Sequence, residues 1–187
     1  MELNQQASGA GTPGQLISSP AQIRLAGPGD IPEIRRVARA AFYSTYINII
    51  TTDQIEYMQA VSYSEEMLKH VMEKGLQNFF VAEEPGSGKV LAFTAYGPQE
   101  DEPGVYKLHK LYALAEAQGT GLGKALIHRV IAEVKALGGR LLVLNVHRNN
   151  PAYTFYLKTG FKVLQSVDIP FGPYWLNDYY MGLAISS

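Results

Sequence analysis

The 187-residue sequence contains no cysteine, which excludes a disulfide framework, a thiolate zinc site and a cysteine nucleophile. Its four histidines, His70, His109, His128 and His147, stand far apart without a ligand pair such as H-E-x-x-H, so no metal is expected. Neither sign of charge predominates. Sixteen basic residues against seventeen acidic ones give a formal net charge of -1, and no basic run offers a footprint for nucleic acid. No run is long and apolar enough to span a bilayer, and the start lacks the basic segment and apolar core of a secretory leader. These absences predict a cytoplasmic protein that engages neither nucleic acid nor membrane.

Residues 1–21 are rich in Ser, Gly, Ala, Pro and Gln and show no apolar periodicity. Such a segment cannot bury enough surface to offset the entropy of ordering it, so a flexible tail is predicted over 1–21 and one folded domain over 22–187. With 47% hydrophobic residues the domain has material for a substantial core.

The domain reads as alternating strands and helices. Gln22 to Leu25 predicts a short strand, followed by a helix with Asp30 as N-cap, Glu33 three residues on, and a buried stripe of Ile34, Val37, Ala38, Ala41 and Phe42. Two further helical segments are predicted at Asp53–Met58 and, capped by Ser64, at Glu65–Lys74. Asn78–Glu83 and Lys89–Gly97 predict a hairpin, and the loop after it carries Glu100, Asp101 and Glu102, which either attract a polycationic amine or are simply solvated. Val105–Ala113 alternates as a strand, with Tyr106, Leu108 and Tyr112 assigned to one face. After an amphipathic helix ending at Gly138-Gly139, Leu141–Val146 is a continuous apolar run, the pattern of a strand buried on both faces. Strand, crossover helix and strand make a right-handed parallel unit. Phe161–Val167 and Asp178–Ile185, joined by a loop from Asp168 to Asn177, complete a terminal hairpin. The fold class is α/β, a single domain with a mixed, twisted sheet flanked by helices.

Between the central strand and its helix stands Gln118-Gly119-Thr120-Gly121-Leu122-Gly123-Lys124. Three glycines at the mouth of a helix let the backbone approach a ligand closely, while unpaired N–H groups and the positive end of the helix dipole favour an anion. The spacing fails a Walker loop, which needs glycine at Gln118 and Ser or Thr at Ala125. It fails a dinucleotide fingerprint too, which needs a small residue at Lys124 and a start directly after a strand.

What fits is a Q-x-x-G-x-G pattern over Gln118, Gly121 and Gly123, which resembles the signature of the GNAT superfamily of acetyl-CoA-dependent N-acetyltransferases. A second stretch resembles that family's other signature: Asn149 before a short helix, Tyr156 on it, and Gly160-Phe161 at its end. The resemblance covers Ile23 to Ile185 and implies a GNAT fold. Wording at Tyr57-Met58, Tyr63-Ser64-Glu65-Glu66, Lys107–Tyr112 and Asn177–Met181 is most similar to the PaiA-like polyamine branch, which implies spermidine or spermine as acceptor.

The resemblance implies acetyl-CoA as cosubstrate. It places the pyrophosphate of coenzyme A on Gln118, Gly119, Thr120, Gly121, Leu122, Gly123 and Lys124, and its pantetheine arm on the backbone of Leu111, Tyr112 and Ala113. Asn149 is implied as a cofactor contact and Tyr156 as both a cofactor contact and the acid that protonates the departing thiolate. His109 stands where many family members carry a glutamate base; it either serves as the base, its ordinary pKa near ~6.5 suiting neutral pH, or merely packs. Lys124 either neutralises phosphate or is solvated. The acceptor is a small-molecule primary amine, with another small amine, a protein N-terminus, or a non-catalytic acetyl-CoA sensor as alternatives. The aromatic loop around Tyr174 and Trp175 forms either a wall of the acceptor site or a homodimer contact.

Overall fold

The computed structural model describes residues 21–186, so the tail expected over 1–21 lies outside the described residues apart from Ala21. Seven strands form one sheet in the order β1-β2-β3-β4-β5-β7-β6: β1 (Gln22–Leu25), β2 (Asn78–Glu83), β3 (Val90–Pro98), β4 (Val105–Ala113), β5 (Leu141–His147), β6 (Lys162–Phe171) and β7 (Tyr174–Ala184). Five α-helices flank it: α1 (Ile31–Tyr46), α2 (Thr52–Ser62), α3 (Glu65–Glu73), α4 (Leu122–Ala136) and α5 (Ala152–Lys158). Every neighbouring pair is antiparallel except β4 and β5, which run parallel because α4 crosses over between them. The sheet is thus antiparallel in its first half and parallel at the α4 crossover, as its sequence pattern predicts.

Successive residues of β2 separate the two layers. Phe80 stacks on Tyr96 and carries the Arg129 guanidinium of α4 over its ring at 4.7 Å. Phe79 points the other way, where the Lys110 ammonium lies over both its ring and that of Tyr63. The stripe of α1, from Ile34 to Phe42, is buried on this second side, while Leu126, Ile127, Val130 and Val134 anchor α4 on the first. Gly97 of β3 is where the chain tolerates no side chain: a Cβ there would sit 2.1 Å from the Leu76 carbonyl oxygen, a backbone atom. Gly97→Ala is expected to lower unfolding free energy by about 3 kcal/mol, the upper range for overpacking. Gly27→Ala, with nothing within 4 Å, should stay near wild type. Urea melts of the two variants check the contrast.

Three local readings are corrected. First, Ala95 pairs with Lys110 and Tyr96 with Leu108, so His109 is an extra residue on β4 and forms a bulge. The alternation changes phase there. Tyr106 borders the Gly139 position beside Val134 of α4, whereas Tyr112 packs on Phe42 and Tyr63 in the opposite layer. Second, the loop expected from Asp168 to Asn177 is mostly strand: β6 and β7 continue pairing to Phe171 and Tyr174, with a turn at Gly172-Pro173 in which Gly172 takes φ +58°. Third, Asp30 stands at the N-cap position of α1 as expected, but its side chain makes no capping bond to the helix. Its carboxylate accepts from the Arg24 guanidinium at 2.8 and 2.9 Å and from the Gly27 N–H at 2.9 Å, tying β1 to the start of the helix.

Candidate active site

β4 and β5 pair only from Val105–Leu108 to Leu141–Leu144. Beyond that, β5 continues alongside β7 while β4 stays with β3, so the strands part at the His109 bulge. From His109 to Ala113, the backbone groups of β4 that point away from β3 have no strand to bond. They border a wedge-shaped cavity of about 380 Å³ whose other walls are Asn145 and Val146 of β5, the start of α5, and the glycine turn before α4.

That turn is shaped by Gly119 and Gly121, which take φ of +76° and +86°; a Cβ on either would meet nothing within 4 Å. The backbone conformation requires glycine, and the space outside it is open. The first hydrogen bond of α4 runs from the Ala125 N–H to the Gly121 carbonyl, and no side chain caps the helix. The N–H groups of Leu122, Gly123 and Lys124 are therefore left for a ligand.

Tyr156 of α5 borders the wedge at 8% exposure. Its ring packs against Phe155 and Phe161, while burial pushes its phenol well above the ordinary range, so it holds its proton throughout neutral pH. Beside it, the Tyr46 hydroxyl accepts from the Asn150 amide at 2.9 Å and is pushed up to about 12, chiefly by burial. The same Asn150 accepts from the Ala152 N–H at 2.9 Å, so it caps α5 in effect.

On the α1 side of the bulge lies a second cavity of about 320 Å³. Phe42, Met58, Phe171 and Leu176 give it an apolar wall; Lys107, Lys110 and Asp178 are its charged residues. His109 and Tyr112 border both cavities and form the junction between them. Burial, then the charges of Lys110 and Lys107, push His109 down to about 3, so it is neutral at physiological pH and a weak base. Burial pushes Asp178 up to about 6 against the opposing pull of Lys107 and Arg148. Lys110 is pushed down to about 8 by the same desolvation, and its ammonium donates to Gln77 Oε1 at 3.0 Å.

The structure thus brings together His109, Leu111, Tyr112, Ala113, Gln118, Gly119, Gly123 and Tyr156 around the wedge. Thr120 turns its hydroxyl back onto the Ala117 carbonyl, Leu122 sends its side chain into the core, and Lys124 is exposed. Asn149 is not in the wedge. It lies exposed in a separate hollow with Arg148 and Asn177, and the asparagines of the wedge are Asn145 and Asn150. Sequence reading also misses Tyr46, Lys107, Lys110 and Asp178, which join the site only through tertiary pairing. The acidic loop is at the far end of β4: Glu100, Asp101 and Glu102 are exposed and precede Val105, which is four residues, roughly 13 Å of strand, from His109. At the β6–β7 turn, Tyr174 packs on Tyr57, and Trp175 is 59% exposed.

The Acetyltransferase (GNAT) domain family matches residues 75–163, which hold the glycine turn, Tyr156 and every wall of the wedge but the one contributed by α1. The uncharacterized N-acetyltransferase YuaI of Bacillus subtilis is 30% identical over 136 residues, covering 72% of this chain and 76% of that protein. An uncharacterized N-acetyltransferase of Mycobacterium tuberculosis is 40% identical over 76 residues, but the match spans only 49% of its length and 40% of this chain. Among solved structures, the PaiA N-acetyltransferase of Thermoplasma acidophilum in complex with coenzyme A shares the fold at a TM-score of 0.76 and 24% identity, over 89% of this chain and 99% of that one. An N-acetyltransferase from Staphylococcus aureus Mu50 superposes at 0.68 with 26% identity, over 90% and 100%. With the parted strands, the glycine turn and the extent of the YuaI match, the chain belongs to the GNAT acetyltransferase family.

Proposed function

We propose that the protein transfers acetyl from acetyl-CoA to a primary amine, by direct attack with both substrates bound. The observation that carries this reading is the parting of β4 from β5, which leaves an unpaired strand edge leading from an uncapped, glycine-shaped helix N-terminus to the Tyr156 hydroxyl. The donor set fits coenzyme A. Leu122, Gly123 and Lys124 offer N–H groups to a pyrophosphate, and the edge of Leu111, Tyr112 and Ala113 offers an amide-bearing arm the pairing of an added strand. Bound there, acetyl-CoA supplies an electrophilic thioester carbonyl.

The protein's own groups handle the protons. An alkylammonium has a pKa near ~10.4 and must lose its proton before it attacks. Asp178 is the better acceptor of that proton, being ionised at neutral pH yet more basic than an exposed carboxylate; neutral His109, a weak base in its lysine-flanked setting, orients the amine by hydrogen bonding. As the C–N bond forms and the C–S bond breaks, Tyr156 gives its proton to the leaving sulfur; the second proton shed by the nitrogen as the amide forms restores the phenol through solvent, and the first leaves Asp178 to bulk water. A polyamine acceptor rests on sequence wording alone, since the acidic loop invoked for it is remote from the cavity.

Release of free coenzyme A from acetyl-CoA, followed with spermidine, spermine, phenethylamine, amino acids and short peptides, tests the activity. Amine-dependent release supports transfer; bound acetyl-CoA with no release above the uncatalysed rate for any acceptor overturns it in favour of a sensor.

A further inference from the structure

Two side chains of opposite charge, contributed by different strands, border the acceptor cavity without a hydrogen bond or salt bridge among the described residues. Asp178 of β7 is only 7% exposed, yet burial dominates its environment and no hydrogen bond relieves it. Lys107 of β4 is likewise desolvated and unbonded; each feels the other's charge, but no salt bridge joins them. A partly desolvated charge without a hydrogen-bonding partner is costly. Neither group is sealed inside the protein, Lys107 being only half-buried, so both are reachable from the 320 Å³ cavity, which points to a ligand that completes both. Lys110 adds a second positive charge at the same wall, so a polycation would meet two ammonium groups for one carboxylate.

Part of the cavity wall is apolar, formed by Phe42, Met58, Phe171 and Leu176, alongside the uncharged polar side chains of Gln54, Ser62 and Gln77. We propose that the acceptor is a small amino acid with an apolar side chain, its ammonium held by Asp178, its carboxylate by Lys107, and its side chain by that apolar wall. The proposal rests on the acetyl-transfer reading for its word "acceptor" but not for the recognition itself, which binding alone can test. Asp178 is within electrostatic reach of Tyr46, which borders both cavities, so the ammonium is the end presented to the wedge for acetylation.

Calorimetric binding to the full chain loaded with coenzyme A, at pH 8 so that Asp178 stays ionised, compares phenylalanine with phenethylamine and leucine with isopentylamine. Each pair differs by the carboxylate alone. A charge-assisted contact predicts at least about tenfold tighter binding of each amino acid, and Lys107→Met should collapse that ratio to near one. Equal affinity within each pair, tighter binding of spermidine, or a ratio that survives Lys107→Met overturns the proposal. Coenzyme A release is followed in parallel. Tight amino-acid binding without acetylation upholds the recognition and overturns acetyl transfer, whereas acetylation of amines with no carboxylate preference does the reverse.

Discussion

Replacing Tyr156 by Phe is expected to lower kcat for acetyl transfer by about 100-fold, the lower end for loss of a positioned general acid. Acetyl-CoA affinity should remain close to wild type, because the groups that offer to hold coenzyme A are backbone groups of β4 and of the α4 N-terminus. The substitution isolates the hydroxyl. The packing of the ring on Phe155 and Phe161 survives it, and the hydroxyl makes no hydrogen bond with the described residues, so stability should hardly change. A phenol whose pKa is raised by burial is fully protonated at neutral pH, so its O–H is available to the departing thiolate, although the same burial makes it a weaker acid than a free phenol. Steady-state kinetics and calorimetry with acetyl-CoA provide the two readouts. A kcat within a few-fold of wild type would remove Tyr156 from the chemistry and leave it a wall of the cavity.

The glycine turn and strand edge proposed to hold coenzyme A were legible because they are local. Gln118 to Lys124 is one turn, its glycines are needed for φ values that the chain reports directly, and the helix that follows announces itself by its apolar spacing. The parallel β4–β5 unit could be read for the same reason: the strand that needs both faces covered, Leu141–Val146, has no polar alternation. The acceptor half was not legible. Its bulge at His109 is a property of how β4 aligns with β3, and no feature of Val105–Ala113 alone shows that one residue is extra. That single residue reassigns Tyr112 to the α1 layer and sets His109 and Lys110 on one cavity. Asp178 was hidden by sequence distance, since it comes within electrostatic reach of Lys107 only after β7 inserts between β5 and β6. Asn149 lies outside the wedge for a smaller reason: it stands one residue before the turn toward α5, and Asn150 takes both the cap and the contact with Tyr46.

Asp178→Asn should reduce kcat by about 100- to 1000-fold, within the range for loss of a general base, and should abolish the acidic limb of the kcat–pH profile. The sign follows from which form works. The carboxylate must be ionised to take a proton from the amine; its pKa of about 6 means that turnover falls as pH drops through 6 and levels off above 7. The charges that face it come from several elements: Lys107 on β4 and Arg148 after β5 lower its pKa, Asp168 on β6 raises it, and Tyr46 of α1 and His147 of β5 border it as neutral groups near pH 7. Removing Lys107 therefore moves the limb to higher pH, a shift that a purely structural role for Asp178 would not produce. Stability separates the two roles further. A carboxylate whose pKa is raised on folding favours the native state only when protonated, so that contribution is lost as pH rises through about 6. Asp178→Asn should accordingly melt at or above the wild-type temperature at pH 7 while its turnover collapses. A variant that loses stability and activity together, or a limb near pH 6 that persists in Asp178→Asn, would assign the proton to another group.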